Sequence, residues 1–303
     1  MDKISIIVPC FNEEESIPLF YDAISEVAAG MKEQEFEFIF IDDGSKDRTL
    51  PILRELHQKD KRVRYISFSR NFGKEAGMYA GLSKSTGDFV AIMDVDMQDP
   101  PSLLPEMYRT LKEEDYDSVA TRRSTREGEP KLRSFFAIKF YEIINAISDA
   151  DIISGARDYR LMKRVMVDAI LSMKEYNRFS KGIFGWVGFK TKWLSYENIE
   201  RVAGVTKWSF WKLFVYAING IVAFSTVPLL LPLIFGILFT GIGVIFMIIH
   251  LITKASLLYD VLFLLTGVLL ICLGVVAQYL AKTYLEVLKR PVYIERETEE
   301  GSR

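Results

Sequence analysis

The sequence predicts an α/β domain on a mostly parallel sheet, followed by apolar helices that cross a membrane. Two observations lead there. Between Ile4 and Ala120, apolar runs of strand length alternate with helix-like stretches. Further on, no Asp, Glu, Lys or Arg occurs from Leu213 to Thr253, nor from Val261 to Ala281.

The strand-length runs fall at 4–8, 36–41, 63–68, 88–93 and 117–120, with helical stretches at 16–30, 46–58, 74–85 and 101–113. The runs are continuously apolar, so both faces of the sheet are covered, as in parallel α/β sheets. Ligands of such sheets bind beyond the carboxyl ends of the strands. The polar clusters Asn12-Glu13-Glu14, Asp42-Asp43-Gly44-Ser45 and Asp94-Val95-Asp96 stand at those ends.

A helix crosses a bilayer with about 20 apolar residues. The Val261–Ala281 run fits one span; the Leu213–Thr253 run is about twice that length, and Pro228 and Pro232 divide it. The expected division is a cytoplasmic block at 1–207, an interfacial amphipathic helix at 208–226, a two-span hairpin at 227–281 and a cytoplasmic tail at 282–303 that is polar and loose. Trp208, Trp211 and Tyr216 suit the headgroup level. Lys207 and Lys212 precede the hairpin, and Lys282, Lys289 and Arg290 follow it, so both ends belong inside. Residues 4–8 are too short for a signal-peptide core. Gly236, Gly241 and Gly243 suit helix–helix contact, and with it a homo-oligomer.

Composition excludes several functions. The net charge of −2 leaves no basic excess for nucleic acid. Cys10 and Cys272 sit in different apolar runs, which argues against a disulfide or a Cys/His metal site. His57 and His250 give a His-based triad little material.

Asp94, Asp96 and Gln98 follow an apolar run, and alternate residues of an extended chain face one side. Clustered carboxylates need a cation, and hard oxygen ligands suit Mg²⁺ or Mn²⁺. A solvated acidic turn stopped by Pro100-Pro101 is the plainer alternative. Asp42 and Asp43 lie at another strand end, where carboxylates accept hydrogen bonds from a base or ribose. Helix capping by Ser45 or Asp47 is the ordinary use of that segment. Gly73-Lys74 opens a helix, a place suited to phosphate. The P-loop and dinucleotide glycine spacings are absent.

Together these clusters resemble family-2 glycosyltransferases, which have a GT-A fold with a Rossmann-like, mostly parallel sheet. The resemblance rests on Val8-Pro9-Cys10-Phe11-Asn12-Glu13, Ile41-Asp42-Asp43-Gly44-Ser45 and Asp94-Val95-Asp96. Arg70-Asn71-Phe72-Gly73-Lys74, Asp96-Met97-Gln98-Asp99, Asp158-Tyr159-Arg160-Leu161 and the Arg201–Trp208 segment resemble the polyprenyl-phosphate branch. That branch includes bactoprenol glucosyltransferases and dolichol-phosphate mannose synthases. Thr206 stands where the branch pattern has Ser and keeps the hydroxyl.

The resemblance implies a role for each matching position. Pro9, Phe11, Glu13 and Asp42 line the nucleotide pocket, with Gly73 and Lys74 toward its phosphates. Asp94 contacts the donor, and Asp96 and Gln98 hold Mg²⁺ or Mn²⁺ against the diphosphate. Asp158 and Arg160 stand near the transferred sugar, and Arg201 and Lys207 meet phosphates from the membrane side. The implied reaction is inverting transfer of a hexosyl group, glucose from UDP-glucose in the nearest pattern, onto undecaprenyl phosphate at the plasma membrane. GlcNAc, mannose and galactose are the alternative sugars.

A lipid phosphate is already largely ionised at neutral pH and needs cations rather than a general base. Arg122, Arg123, Arg126, Lys131 and Arg133 form such a cationic group. A solvated loop is the plainer reading of any one of them. The stretch Phe135–Tyr141 suits membrane docking or packing on the sheet. Two rivals fit less well. A processive polysaccharide synthase would carry more spans and a Gln-x-x-Arg-Trp motif. A nucleotide-sugar sensor would not need both the metal pair and the basic cluster.

Overall fold

A computed structural model describes residues 1–123, 155–196, 227–253 and 258–302, with isolated positions at 142, 145, 146, 153, 218, 221–223 and 225. The elements run β1 (Asp2–Cys10), α1 (Ser16–Gly30), β2 (Gln34–Asp42), α2 (Thr49–Lys59), β3 (Val63–Phe68), α3 (Lys74–Lys84), β4 (Phe89–Ile92), α4 (Leu104–Glu113), β5 (Ser118–Arg123) and β6 (Ala156–Lys163). Then come α5 (Arg164–Ser172), α6 (Ser180–Trp186), β7 (Thr191–Tyr196), α7 (Leu230–Thr253), α8 (Leu258–Val287), β8 (Glu295–Thr298) and β9 (Gly301–Ser302).

The strands form one sheet in the order β7-β5-β6-β4-β1-β2-β3-β8-β9. Its centre, β4-β1-β2-β3, is parallel; β6 enters antiparallel beside β4 and β5. The expected mostly parallel sheet is therefore present, with β6, β8 and β9 adding antiparallel pairs. Every residue of β2 from Phe36 to Asp42 is buried. Its alternate side chains serve two cores: Phe38 and Phe40 pack with Ile6, Phe20 and Leu53, and Ile39 and Ile41 pack with Ile7, Met78 and Ile183. That two-sided burial is why the strand sequence does not alternate. Helix α3 lies very close to the sheet, because a Cβ on Gly81 would stand 2.2 Å from Ile7 Cγ2.

The order reverses between β1 and β4, since the chain leaves β1 toward β2 and β3 and returns on the other side. Register keeps the strand ends level there. Cys10 pairs with Asp42, Ile7 with Ile92, and the Met93 N–H donates to the Ile7 carbonyl at 2.9 Å. Asp94 thus emerges at the crevice where open α/β sheets bind ligands.

At the opposite end of the sheet Glu37 is buried beneath Ser5, Thr86, Lys3 and Arg64. Its carboxylate accepts from Ser5 Oγ at 2.6 Å and Thr86 N–H at 2.7 Å, and pairs with Lys3 at 3.1 Å and Arg64 at 3.3 Å. Burial pushes its pKa up, but the hydrogen bonds from Ser5 and Thr86 and the Lys3 charge bring it down from 4.5 to about 2. A lowered acid stabilises the fold above its ordinary pKa, and that contribution is lost as pH falls toward about 2. Glu37→Ala strands these donors, and a loss on the order of 3 kcal/mol is expected in urea unfolding at neutral pH. The gap from wild type should shrink as pH is lowered below 4.5.

The C-terminal tail is not loose. β8 adds antiparallel to β3, and the acidic side chains of this tail meet bases from distant elements. Glu297 takes a two-pronged contact from Arg54 at 2.7 and 2.5 Å, Glu299 pairs with Arg64 at 2.7 Å, and Glu295 pairs with Lys84 at 3.1 Å. Tyr293 stacks on Phe68 at 4.8 Å. The polarity that suggests disorder is charge complementarity with α2, β3 and α3.

Among the described residues one segment, Leu265–Val287, is long and apolar enough to cross a membrane, six residues beyond the expected end at Ala281. It belongs to α8, whose 30 residues extend about 45 Å. Helix α7 runs 24 residues without a charged side chain. Of the expected interfacial helix, positions 218 and 221–223 are helical, and most of the rest lies outside the described residues.

Candidate active site

The site grows from three strand ends and one helix start. Lys74, the first residue of α3, reaches across to β4 and β6. Its Nζ stands 2.6 Å from Asp94 Oδ1 and 2.5 Å from Asp158 Oδ2. Burial disfavours the ammonium, yet Asp158 and Asp94 hold it protonated far above the usual lysine range. Burial likewise pushes Asp158 up, but the Lys74 and Lys181 charges keep its carboxyl well below the usual range. Asp158 is therefore a fixed anion between cations. Lys74 is held by carboxylates rather than aimed outward from the helix N-terminus.

Beside this triad lies a second charged group. Arg157 Nε donates to Asp99 Oδ1 at 2.8 Å, and Nη2 donates to Gln98 Oε1 at 3.3 Å. Tyr196, at the end of β7, donates its hydroxyl to the same Asp99 oxygen. Asp96 is buried, and its Oδ1 accepts the Gln98 N–H at 3.2 Å. Met97 between them has φ +60°, a left-handed conformation that turns the chain sharply. Repulsion among these carboxylates is thus partly relieved by Lys74 and Arg157, two protein cations the sequence reading did not pair with them. Among the described residues, no three His, Cys, Asp or Glu side chains converge as a metal cage.

The loops around the crevice are braced by the remaining motif residues. Asp42 accepts Ser45 N–H at 2.9 Å and Ser67 Oγ at 2.7 Å. Asp43 accepts Phe72 N–H at 2.6 Å and Gly73 N–H at 2.9 Å, so the Gly73 amide is already engaged. Burial raises the Asp43 pKa to about 6 despite those donors. Asn12 N–H donates to Ser45 Oγ at 2.9 Å, Glu13 N–H to Thr49 Oγ1 at 2.9 Å, and Glu13 Oε2 accepts Ser16 Oγ at 2.9 Å. Pro9, second to last in β1, lies beside Gly77 of α3, and Phe11, just past the strand, is half-buried. Gly44 has φ +67°, and a Cβ there would lie 2.5 Å from the Arg70 carbonyl carbon. Gly44→Ala should cost about 1–3 kcal/mol by thermal unfolding. It should also weaken donor binding, because the 69–73 loop must shift.

Arg160 is buried, with its guanidinium 3.5 Å over the Phe184 ring and its Nε unpartnered among the described residues. Burial lowers its pKa to about 9. Arg122, second to last in β5, donates its Nε–H to Ser195 Oγ at 2.9 Å. Arg126, Arg133, Arg201 and Lys207, with Lys131 and the Phe135–Tyr141 stretch, lie outside the described residues. Sequence reasoning missed Arg157, Asp99, Lys181 and Glu75. The run Arg157-Asp158-Tyr159-Arg160 is a strand with charged faces, and that alternation was the available signal.

The pattern of residues 5–171 matches the family described as "Glycosyl transferase family 2". The chain belongs to that glycosyltransferase family. Relatives cover nearly the whole molecule. The prophage bactoprenol glucosyl transferase homolog of Escherichia coli K12 is 41% identical over 96% of this chain and 98% of its own. The bactoprenol glucosyl transferase of Shigella phage SfII is 40% identical over 99% of each. Among solved structures, glucosyl-3-phosphoglycerate synthase of Mycobacterium tuberculosis, in complex with Mn²⁺, UDP-glucose and phosphoglyceric acid, has a TM-score of 0.47 at 19% identity. It covers 73% of this glycosyltransferase and 78% of its own chain.

Proposed function

We propose that this glycosyltransferase moves a hexosyl group, glucose from UDP-glucose, onto a polyprenyl phosphate such as undecaprenyl phosphate at the cytoplasmic membrane face. The observation that carries the reading is near full-length similarity, helices included, to proteins named bactoprenol glucosyl transferase. The site geometry agrees with it. In the reaction an acceptor phosphate oxygen forms a bond to the sugar C1 as the bond from C1 to the diphosphate breaks, which inverts the anomeric centre. The nucleoside diphosphate leaves with both electrons of the broken bond. An ionised phosphate gives up no proton, so no general base is required. Asp158, pinned as an anion, orients Lys74 and the bound groups instead of carrying a proton.

Asp96, with Gln98 beside it, fits a hard cation that takes one or two protein oxygens and the rest from donor phosphates. When bound, Mg²⁺ or Mn²⁺ supplies positive charge for the diphosphate leaving group. Pro9, Phe11, Glu13 and Asp42 frame the nucleotide crevice. Arg122, Arg126, Arg133, Arg201 and Lys207 supply the cations for lipid and donor phosphates.

Two membrane spans, α7 and α8, belong to this reading, and parity supports them. β3 precedes them and β8 follows them, and the two strands pair in one sheet. That pairing supports an even number of crossings between them. With α8 as one span by its length and apolarity, the uncharged α7 before it is the fitting outward span.

The test is to incubate full-length enzyme in detergent with undecaprenyl phosphate, Mg²⁺ or Mn²⁺, and each common UDP- or GDP-sugar. A lipid phosphate heavier by one hexose is expected with UDP-glucose. Donor consumption without a glycolipid overturns the acceptor assignment. A folded protein that consumes no donor overturns the whole reading.

A further inference from the structure

We infer that the cytoplasmic end of α8 positions the active site, with Glu286 as the positioning residue; the inference rests on the glycosyl-transfer reading above. The Glu286 carboxylate accepts the Tyr176 N–H at 2.8 and 3.0 Å and the Asn177 N–H at 3.1 Å. One turn earlier on the same face, Lys282 Nζ donates to Asn177 Oδ1 at 2.8 Å. The last turns of the apolar helix thus grip the loop between α5 and α6. From the other side, α3 holds that loop, with the Arg178 guanidinium 4.5 Å over the Tyr79 ring.

The gripped loop leads straight into the site. Ser180 starts α6 and donates its N–H to Glu75 at 3.0 Å, next to Lys74 in sequence. Lys181 donates to the Ala156 carbonyl at 3.1 Å, and its charge acts on Asp158. Phe184 lies under Arg160. Helix α6 has seven residues, too few to hold its shape without tertiary contacts. Its position is set by what it touches, and Glu286 supplies charge-assisted bonds to its leading loop. The membrane helix is thereby part of the catalytic scaffold as well as an anchor.

The test compares wild type, Glu286→Ala and Glu286→Gln as full-length proteins in detergent with saturating lipid phosphate and UDP-glucose. Misplacement on the order of 1 Å costs up to about 10²-fold in rate. Glu286→Ala should therefore lower kcat by roughly 10- to 100-fold with little change in KM for the lipid. Glu286→Gln, which keeps one acceptor oxygen, should recover much of the loss. Hydrogen exchange gives a second readout that needs no turnover. Peptides covering 176–184 should exchange faster in Glu286→Ala, and those of β1 to β4 should not change. Unaltered exchange at 176–184, or an unchanged kcat with only a raised lipid KM, overturns the inference. If wild type itself forms no glycolipid, the acceptor reading fails, and the exchange data alone decide the positioning role.

Discussion

Lys74→Met should reduce turnover by about 10²- to 10³-fold, the loss typical of removing a preorganised charge from a reaction centre. The reason lies in its two short contacts, 2.6 Å to Asp94 and 2.5 Å to Asp158. Without the ammonium, two carboxylates face the crevice with no cation between them. Burial, which already opposes the Asp158 charge, would then prevail, and one acid would take up a proton. The variant should gain an added pH dependence near neutrality, with activity rising as pH rises and that proton leaves. Stability should change less, by about 1–2 kcal/mol, because the lysine is partly exposed and water screens the loss. Steady-state rates from pH 6 to 9 (roughly the span over which such raised acids titrate) and thermal unfolding check both parts. A variant within threefold of wild type (about 0.7 kcal/mol) would show that the triad is structural.

The second large effect is expected at Asp96. Asp96→Ala should cost about 10²- to 10³-fold in kcat and remove the response to added Mg²⁺ or Mn²⁺. The effect on folding should be small. The Asp96 carboxylate accepts the Gln98 N–H at 3.2 Å, a local bond of about 1 kcal/mol. Metal titration of both proteins under saturating donor is the measurement. A variant that keeps the wild-type metal response would move the cation elsewhere, toward Asp94 and the carboxylates that Lys74 and Arg157 now balance.

The central strands were legible because two-sided burial writes itself as uninterrupted apolar runs, and 36–41 and 63–68 match β2 and β3 closely. Asp94 and Asp96 were legible because they end such a run. β6 was not, because Arg157, Asp158 and Arg160 interrupt its apolar residues, and those charges are satisfied by partners far away. Lys74 and Asp158 are separated by 84 residues, a distance no local pattern spans. The Gly73-Lys74 pair reads as a phosphate loop, and no local pattern shows the hydrogen bonds it also gives to Asp43, Asp94 and Asp158. The tail read as loose for the same reason. Glu297 and Glu299 look solvated until Arg54 and Arg64 are brought beside them. Where a residue's contacts depend on a distant ion partner, local composition does not show them.

The most direct test of the account is the identity of the nucleotide released per glycolipid formed. Transfer at the sugar C1 breaks the bond between C1 and the diphosphate, so UDP must appear in equal amount with a lipid phosphate carrying one hexose. Chromatography of the reaction with UDP-glucose and undecaprenyl phosphate, paired with mass spectrometry of the lipid, reads both products. The account predicts UDP, one for each hexosyl lipid monophosphate. Release of UMP with a hexosyl lipid diphosphate would place bond breaking at phosphorus and contradict it.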